Sequence, residues 1–83
     1  MEIKDELEAV LKSMGLENAE IQLETNGAGK VGGYILSETF AGKSQLERQD
    51  MVWDFLGKRL TKQKQLKIIS LLTLTPAEAD IPA

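Results

Sequence analysis

An α+β fold is predicted for this chain, ordered helix–hairpin–helix–strand, with a three-stranded mixed sheet carrying its helices on one face. Three observations carry the prediction. Apolar residues recur at helical spacing in two stretches, 2–14 and 45–60. Between them, two short segments of strand character flank a turn rich in Asn and Gly. After the second helical stretch comes a near-continuous apolar run, 66–75, rich in β-branched residues and short for a helix. Helices stacked on one face of a small sheet are one of the few layer architectures that hide such faces together. The 83 residues make a single domain, 1–83. A chain of this size buries only a little over ~60% of its unfolded surface, so one economical core has to suffice.

The elements follow in order. In residues 2–14, Ile3, Leu7, Val10, Leu11 and Met14 form one apolar stripe, acids crowd the first turn, and Gly15 is a stop signal. Ala19 to Thr25 alternates, with Ile21 and Leu23 on one face and Glu20, Gln22 and Glu24 on the other, the pattern of a half-buried strand. Asn26-Gly27-Ala28-Gly29 is a hairpin turn, since Asn and Gly tolerate positive φ. The second strand runs from about Lys30 to Ser37, and Gly32-Gly33 within it marks a bulge or a close backbone approach. Phe40 anchors the connection 38–44. Gln45 to Leu60 is the longest helix, with Leu46, Val52, Trp53, Leu56 and Leu60 as its inner face and a Ser44/Glu47 capping box. Thr61 to Gln65 reads as a polar loop. Leu66 to Thr75 reads as a strand covered on both faces and the most buried of the three. Thr75 caps a last turn from Pro76 to Asp80, and Ile81-Pro82-Ala83 is expected to fray.

Histidine and cysteine are both absent. The chain therefore lacks the usual neutral-pH acid/base, the thiolate nucleophile and the commonest ligands for zinc and iron–sulfur centres. No disulfide is possible. No segment approaches the ~20 apolar residues of a membrane span. The acidic start, Met1 to Glu6, is unlike a targeting peptide, so a cytoplasmic location is the expectation. The net charge of −3 argues against indiscriminate coating of nucleic acid. Charge is unevenly spread, with −5 over residues 1–40 and +2 over 41–83. Lys58, Arg59, Lys62 and Lys64 form a basic cluster. It is either a solvated helix end favoured by the helix dipole or a contact for phosphates or an acidic partner.

Motifs for catalysis fail on inspection. Ser37 to Ser44 ends in Gly-Lys-Ser like a phosphate-binding P-loop, but Ser37 stands where that loop needs its first glycine. The glycines of 26–33 do not open a helix, so no helix dipole faces a phosphate there. Glu17, Glu20 and Glu24 read as exposed acids, Trp53 as core packing, and Tyr34 has no acid or base near it in sequence.

The segment from Ser37 to Glu78 resembles the BolA-like family. The matching residues are Ser37-Glu38-x-Phe40-x-Gly42-Lys43-Ser44, then Arg48-Gln49, Val52 and Leu56, then Ser70, and finally Thr75-Pro76-Ala77-Glu78. The resemblance implies a fold like the class II KH domain and a non-enzymatic, binding role. Family members typically work with monothiol glutaredoxins, sharing a 2Fe–2S cluster in iron–sulfur or redox homeostasis. Some are linked to stress response and morphology and to DNA binding through a helix-turn-helix-like surface. The family's cluster ligands, a histidine opening the last strand and a His or Cys in the hairpin loop, fall on Lys67 and on Gly29 or Lys30. Glycine has no ligating side chain and an ammonium has no free lone pair, so no cofactor is expected on this chain's own residues. The family's Trp after T-P-x-E is replaced by Ala79.

Two roles are therefore expected. The first is an interaction module for a monothiol glutaredoxin without cluster ligation, using Lys30 and Lys67. The second is a KH-like nucleic-acid-binding or transcriptional regulator using Gly42, Lys43, Arg48, Lys58, Arg59, Lys62 and Lys64. A monomer or weak homodimer without membrane contact is expected in either case.

Overall fold

The computed structural model describes residues 2–79. Its elements are α1 (Ile3–Lys12), β1 (Glu20–Thr25), β2 (Val31–Leu36), a 3-10 turn (Glu38–Phe40), α2 (Gln45–Arg59), α3 (Lys62–Gln65), β3 (Ile68–Leu74) and α4 (Pro76–Ala79). The sheet order is β1-β2-β3. β1 and β2 pair antiparallel and β2 and β3 parallel, which makes the sheet mixed as predicted. The parallel pair requires a long crossover, and α2 with α3 supplies it.

Both long helices lie on one face. Leu7 and Leu11 of α1 and Val52 and Leu56 of α2 meet Leu23, Val31, Ile35, Ile68 and Leu71 of the sheet, with Phe40 fully buried among them. Trp53 packs at the margin of this core and its indole N–H donates to Gln49 Oε1 (3.2 Å). The turn predicted at 26–29 forms as an Asx turn: Asn26 Oδ1 accepts from the amides of Ala28 (2.9 Å) and Lys30 (3.0 Å), and Gly29 takes φ +76°. The glycine pair fulfils both expectations. The β2–β3 register shifts between Val31 and Gly32, leaving Ile69 as the extra residue of a bulge, and a Cβ on Gly33 would run into the backbone of Gln22 and Leu23. The capping box Ser44/Glu47 is present on α2, and Thr75 and Glu78 form a second one on α4.

Four expectations are corrected. Leu46 is 71% exposed rather than on the inner face of α2, because Gln45, Arg48 and Gln49 take that face in the first turns. Residues 62–65 form the short helix α3, started by the Thr61 hydroxyl accepting from the Lys64 amide (3.2 Å). β3 is covered on one face only, with Ile69 and Leu72 59% and 60% exposed. The central strand β2, which has no exposed residue, is the most buried of the three. Asp80 and Ile81-Pro82-Ala83 lie outside the described residues. Among the described residues, no helix is long and apolar enough to cross a membrane.

Candidate partner-binding site

Two of the singled-out lysines are brought together by the sheet. β2 and β3 run parallel, so their first residues share one end of it, and the Val31 amide donates to the Lys67 carbonyl (2.8 Å). Lys30 and Lys67, one from the hairpin turn and one from the start of the last strand, therefore flank a single backbone hydrogen bond. Both are exposed, and neither forms an ion pair among the described residues. The Lys30 backbone is held on both sides by Asn26, which accepts at Oδ1 and donates its own amide to the Lys30 carbonyl (2.9 Å). What results is a fixed pair of backbone positions carrying two exposed ammonium groups. Gly29 stands beside them, also exposed.

This donor set does not fit an iron–sulfur cluster. Lysine ammonium groups repel a metal ion, glycine offers no side chain, and no group of three His, Cys, Asp or Glu that could hold a metal exists among the described residues. What the pair can do is meet an anionic group by charge-assisted hydrogen bonds.

The fold withdraws one residue, Arg48, from the second expected surface. Arg48, expected on a partner or nucleic-acid surface, is only 5% exposed. Its Nε donates to the Lys43 carbonyl (3.0 Å) and its Nη1 to the Thr73 carbonyl (3.2 Å) and Glu78 Oε1 (2.7 Å). A guanidinium with those partners is a structural tie and cannot reach a phosphate. Lys64 pairs with Glu6 of α1 (2.6 Å), and Lys58 pairs with Asp54 one turn earlier (3.2 Å). Arg59 lies 3.7 Å above the centre of the Phe55 ring. Lys62 and Lys43 form no ion pair among the described residues, and Gly42 takes φ +78° in the loop before α2. Two of the four cations of the basic cluster, Lys58 and Lys64, are thus paired with acids within the molecule.

The P-loop-like segment is equally committed to structure. Ser37 is fully buried, donating to the Glu17 carbonyl (2.7 Å) and accepting from the Thr39 amide (3.1 Å). Ser44 and Glu47 satisfy each other's amides at the start of α2.

Sequence reasoning missed two features. One is the polar inner face of α2. Gln49 Nε2 reaches the Leu71 carbonyl (2.8 Å), and Gln45 and Arg48 reach that of Thr73. The Leu74 carbonyl faces β2, where it accepts from Ser37, so the alternate carbonyls of Leu71 and Thr73 face the outer edge of β3. These side chains therefore close that edge to a further strand. The other is the open face of the sheet, where Gly32 leaves a depression of about 480 Å³ walled by Gln22, Glu24, Lys30, Tyr34, Ile69 and Leu72. The Gly-Gly pair and the alternation of β1 were its sequence signals, obscured by reading β3 as covered on both faces.

The arrangement has an acid-sensitive tie. The hydrogen bond from Arg48, and after it that from the Thr75 amide, hold the Glu78 carboxyl below the usual carboxylate range. A lowered folded-state pKa stabilises above the carboxylate's ordinary value and loses that stabilisation as pH falls through the folded value. The acid limb of the stability–pH curve should therefore be shallower in Glu78→Gln than in wild type, with the two curves converging at low pH. Thermal melts from pH 7 to 2 read this directly. Parallel curves would exclude the ion pair as a contributor.

The architecture defines the class of protein: an α+β domain with a β1-β2-β3 mixed sheet and two helices on one face, the fold of BolA-like proteins. It matches a Bol-like protein from Babesia bovis at 28% identity, with 90% of this chain and 86% of that one covered and a TM-score of 0.59. It matches a BolA protein homologue from Coxiella burnetii at 27% identity, with 95% and 92% covered and a TM-score of 0.63. The BolA domain of SufE1 from Arabidopsis thaliana, at 24% identity with 90% and 93% covered and a TM-score of 0.65, shares the fold. No protein-family model and no curated sequence matches the chain. The chain thus has the fold of BolA-like proteins and is similar in sequence to two of them.

Proposed function

We propose that this protein is a non-enzymatic BolA-like interaction module that docks a monothiol glutaredoxin through the Lys30/Lys67 end of its sheet, contributing charge in place of cluster ligands. The observation that carries the reading is the Val31–Lys67 hydrogen bond, which sets the family's two ligand positions side by side although neither can bind iron. On this reading the positions of a shared site remain adjacent and their chemistry is replaced. Two exposed ammonium groups at that point favour a partner presenting carboxylates there. Charged contacts of this kind govern association rate and salt dependence more than raw affinity. Any iron–sulfur cluster in the complex would be held by the partner's groups alone.

The test is calorimetric titration of wild type and the double variant Lys30→Glu/Lys67→Glu with the glutaredoxin at low and moderate salt. The reversal is expected to weaken binding by about 10-fold or more at low salt, with the difference shrinking as salt screens it. Equal affinities would reject this end of the sheet as the docking point. A nucleic-acid role is the weaker reading, because Arg48 is buried and Lys58 and Lys64 are already paired.

A further inference from the structure

We propose that the open face of the sheet, away from the helices, is a self-complementary docking surface for a second copy of this chain. This surface shares Lys30 with the proposed glutaredoxin-docking end of the sheet, but the inference does not depend on that reading. Along β2 the open face presents Tyr34 and, two residues earlier, Gly32. One is a knob and the other a hole, on the same strand and the same side. A two-fold interface is self-complementary when each copy's knob meets the other's hole. That condition selects the axis. A two-fold axis lying across the strands at the level of Leu23, Gly33 and Leu71, residues that the register places side by side, carries each Tyr34 onto the other copy's Gly32.

The flanking residues agree with the same axis. Leu72, level with Tyr34, is carried onto the bulge at Ile69 and Ser70, so the two most exposed apolar residues of β3 cover each other. On β1, Gln22 is carried onto Glu24, a pairing in which the amide donates to the carboxylate. At the ends, Lys30 meets Leu36 beside Glu20, so the lysine stem can cover the leucine while its ammonium reaches the acid. The other face-to-face axis, along the strands, sets Tyr34 on Tyr34 and Gly32 on Gly32, and leaves the depression empty.

Edge-to-edge pairing of two copies through β3 is restricted by the fold. A further strand cannot add along the upper part of β3, since Gln45, Arg48 and Gln49 occupy its outer carbonyls. The area sets the strength. Three strands of six or seven residues offer a footprint of roughly 14 by 20 Å, well under the ~800 Å² per partner of a stable complex. The dimer is therefore weak and fast-exchanging, with a dissociation constant on the order of 0.1–1 mM.

The experiment is amide NMR of the labelled protein alone, from about 0.02 to 2 mM, with sedimentation at both ends of the range. Concentration-dependent shifts are expected at Gln22, Glu24, Gly32, Tyr34, Ile69 and Leu72, and absent from the helices. Leu72→Lys, an exposed change that the monomer fold tolerates, should abolish them. Two variants test the axis itself. Gln22→Lys faces Glu24 of the second copy and should tighten the dimer about threefold or more, whereas Gln22→Glu should weaken it by a similar factor. Shifts absent up to 2 mM, shifts confined to another surface, or equal responses of the two Gln22 variants would each overturn the proposal.

Discussion

Gly33→Ala is expected to lower stability by about 3 kcal/mol, at the upper end of what one methyl group does. The added Cβ would lie 2.9 Å from Leu23 Cα and closer still to the Gln22 carbonyl, both backbone atoms of the neighbouring strand. A flexible side chain could swing aside, but a paired strand cannot move without breaking the β1–β2 ladder on which the hairpin depends. In a domain of this size such a loss corresponds to a melting temperature lower by about 12–24 °C. Gly27→Ala is the control. Its Cβ would meet nothing within 4 Å and its φ is not positive, so a change within about 0.5 kcal/mol is expected. Thermal melts of the two variants side by side decide the matter. Equal small losses would show that the close approach at Gly33 is relaxed at no cost.

Arg48→Met is the second large effect, expected to cost about 1–3 kcal/mol, as for a part-buried acceptor left without its donor. Arg48 joins three elements: the loop before α2 through the Lys43 carbonyl, the end of β3 through Thr73, and α4 through Glu78. Methionine fills the volume but leaves the Lys43 carbonyl without its Arg48 donor. Glu78 retains its bond from the Thr75 amide (2.8 Å), and the Thr73 carbonyl retains that from Gln45 (3.3 Å), so the ties to α2 and α4 loosen rather than vanish. Lysine should not rescue, because a single ammonium cannot reproduce the divided reach of the guanidinium. Hydrogen exchange in Arg48→Met should therefore rise first at Thr75–Ala79 and the end of β3. A uniform rise across the domain would mean that Arg48 acts through the global core instead.

These two residues also show what was legible in advance. Gly32-Gly33 announced a bulge or a close approach, and it forms both, because a residue without a side chain weakens a strand unless the backbone needs the room. The capping box at Ser44/Glu47, the Thr75 cap and the turn at Asn26 were legible because local hydrogen bonds need residues at fixed spacing. Arg48 was misread because a charged residue on a helix is by default exposed. Only the packing of α2 on the edge of β3 turns it inward, and that contact spans residues far apart in sequence. β3 was misread because an apolar run in a parallel pair resembles a strand covered on both faces, whereas here both helices lie on one side.

The motif that carried the resemblance turns out to consist largely of structural ties. Ser37 fastens the 3-10 turn to Glu17, Phe40 fills the core, Gly42 takes positive φ, Ser44 caps α2, and Arg48 holds Glu78. It identifies the fold well and says little about the partner. The candidate site was legible only as two positions, Lys30 and Lys67. That they meet at one end of the sheet follows from the parallel register of β2 and β3.

The proposed role turns on whether a monothiol glutaredoxin docks on this chain without cluster ligands from it. Its most direct measurement is an amide-NMR titration of the labelled protein with a monothiol glutaredoxin, in apo and cluster-loaded forms. Shifts are expected at Lys30, Lys67 and neighbouring residues with both forms, extending toward α2, with no transfer of iron. Absence of shifts with either form, or transfer of the cluster onto this chain, would contradict it.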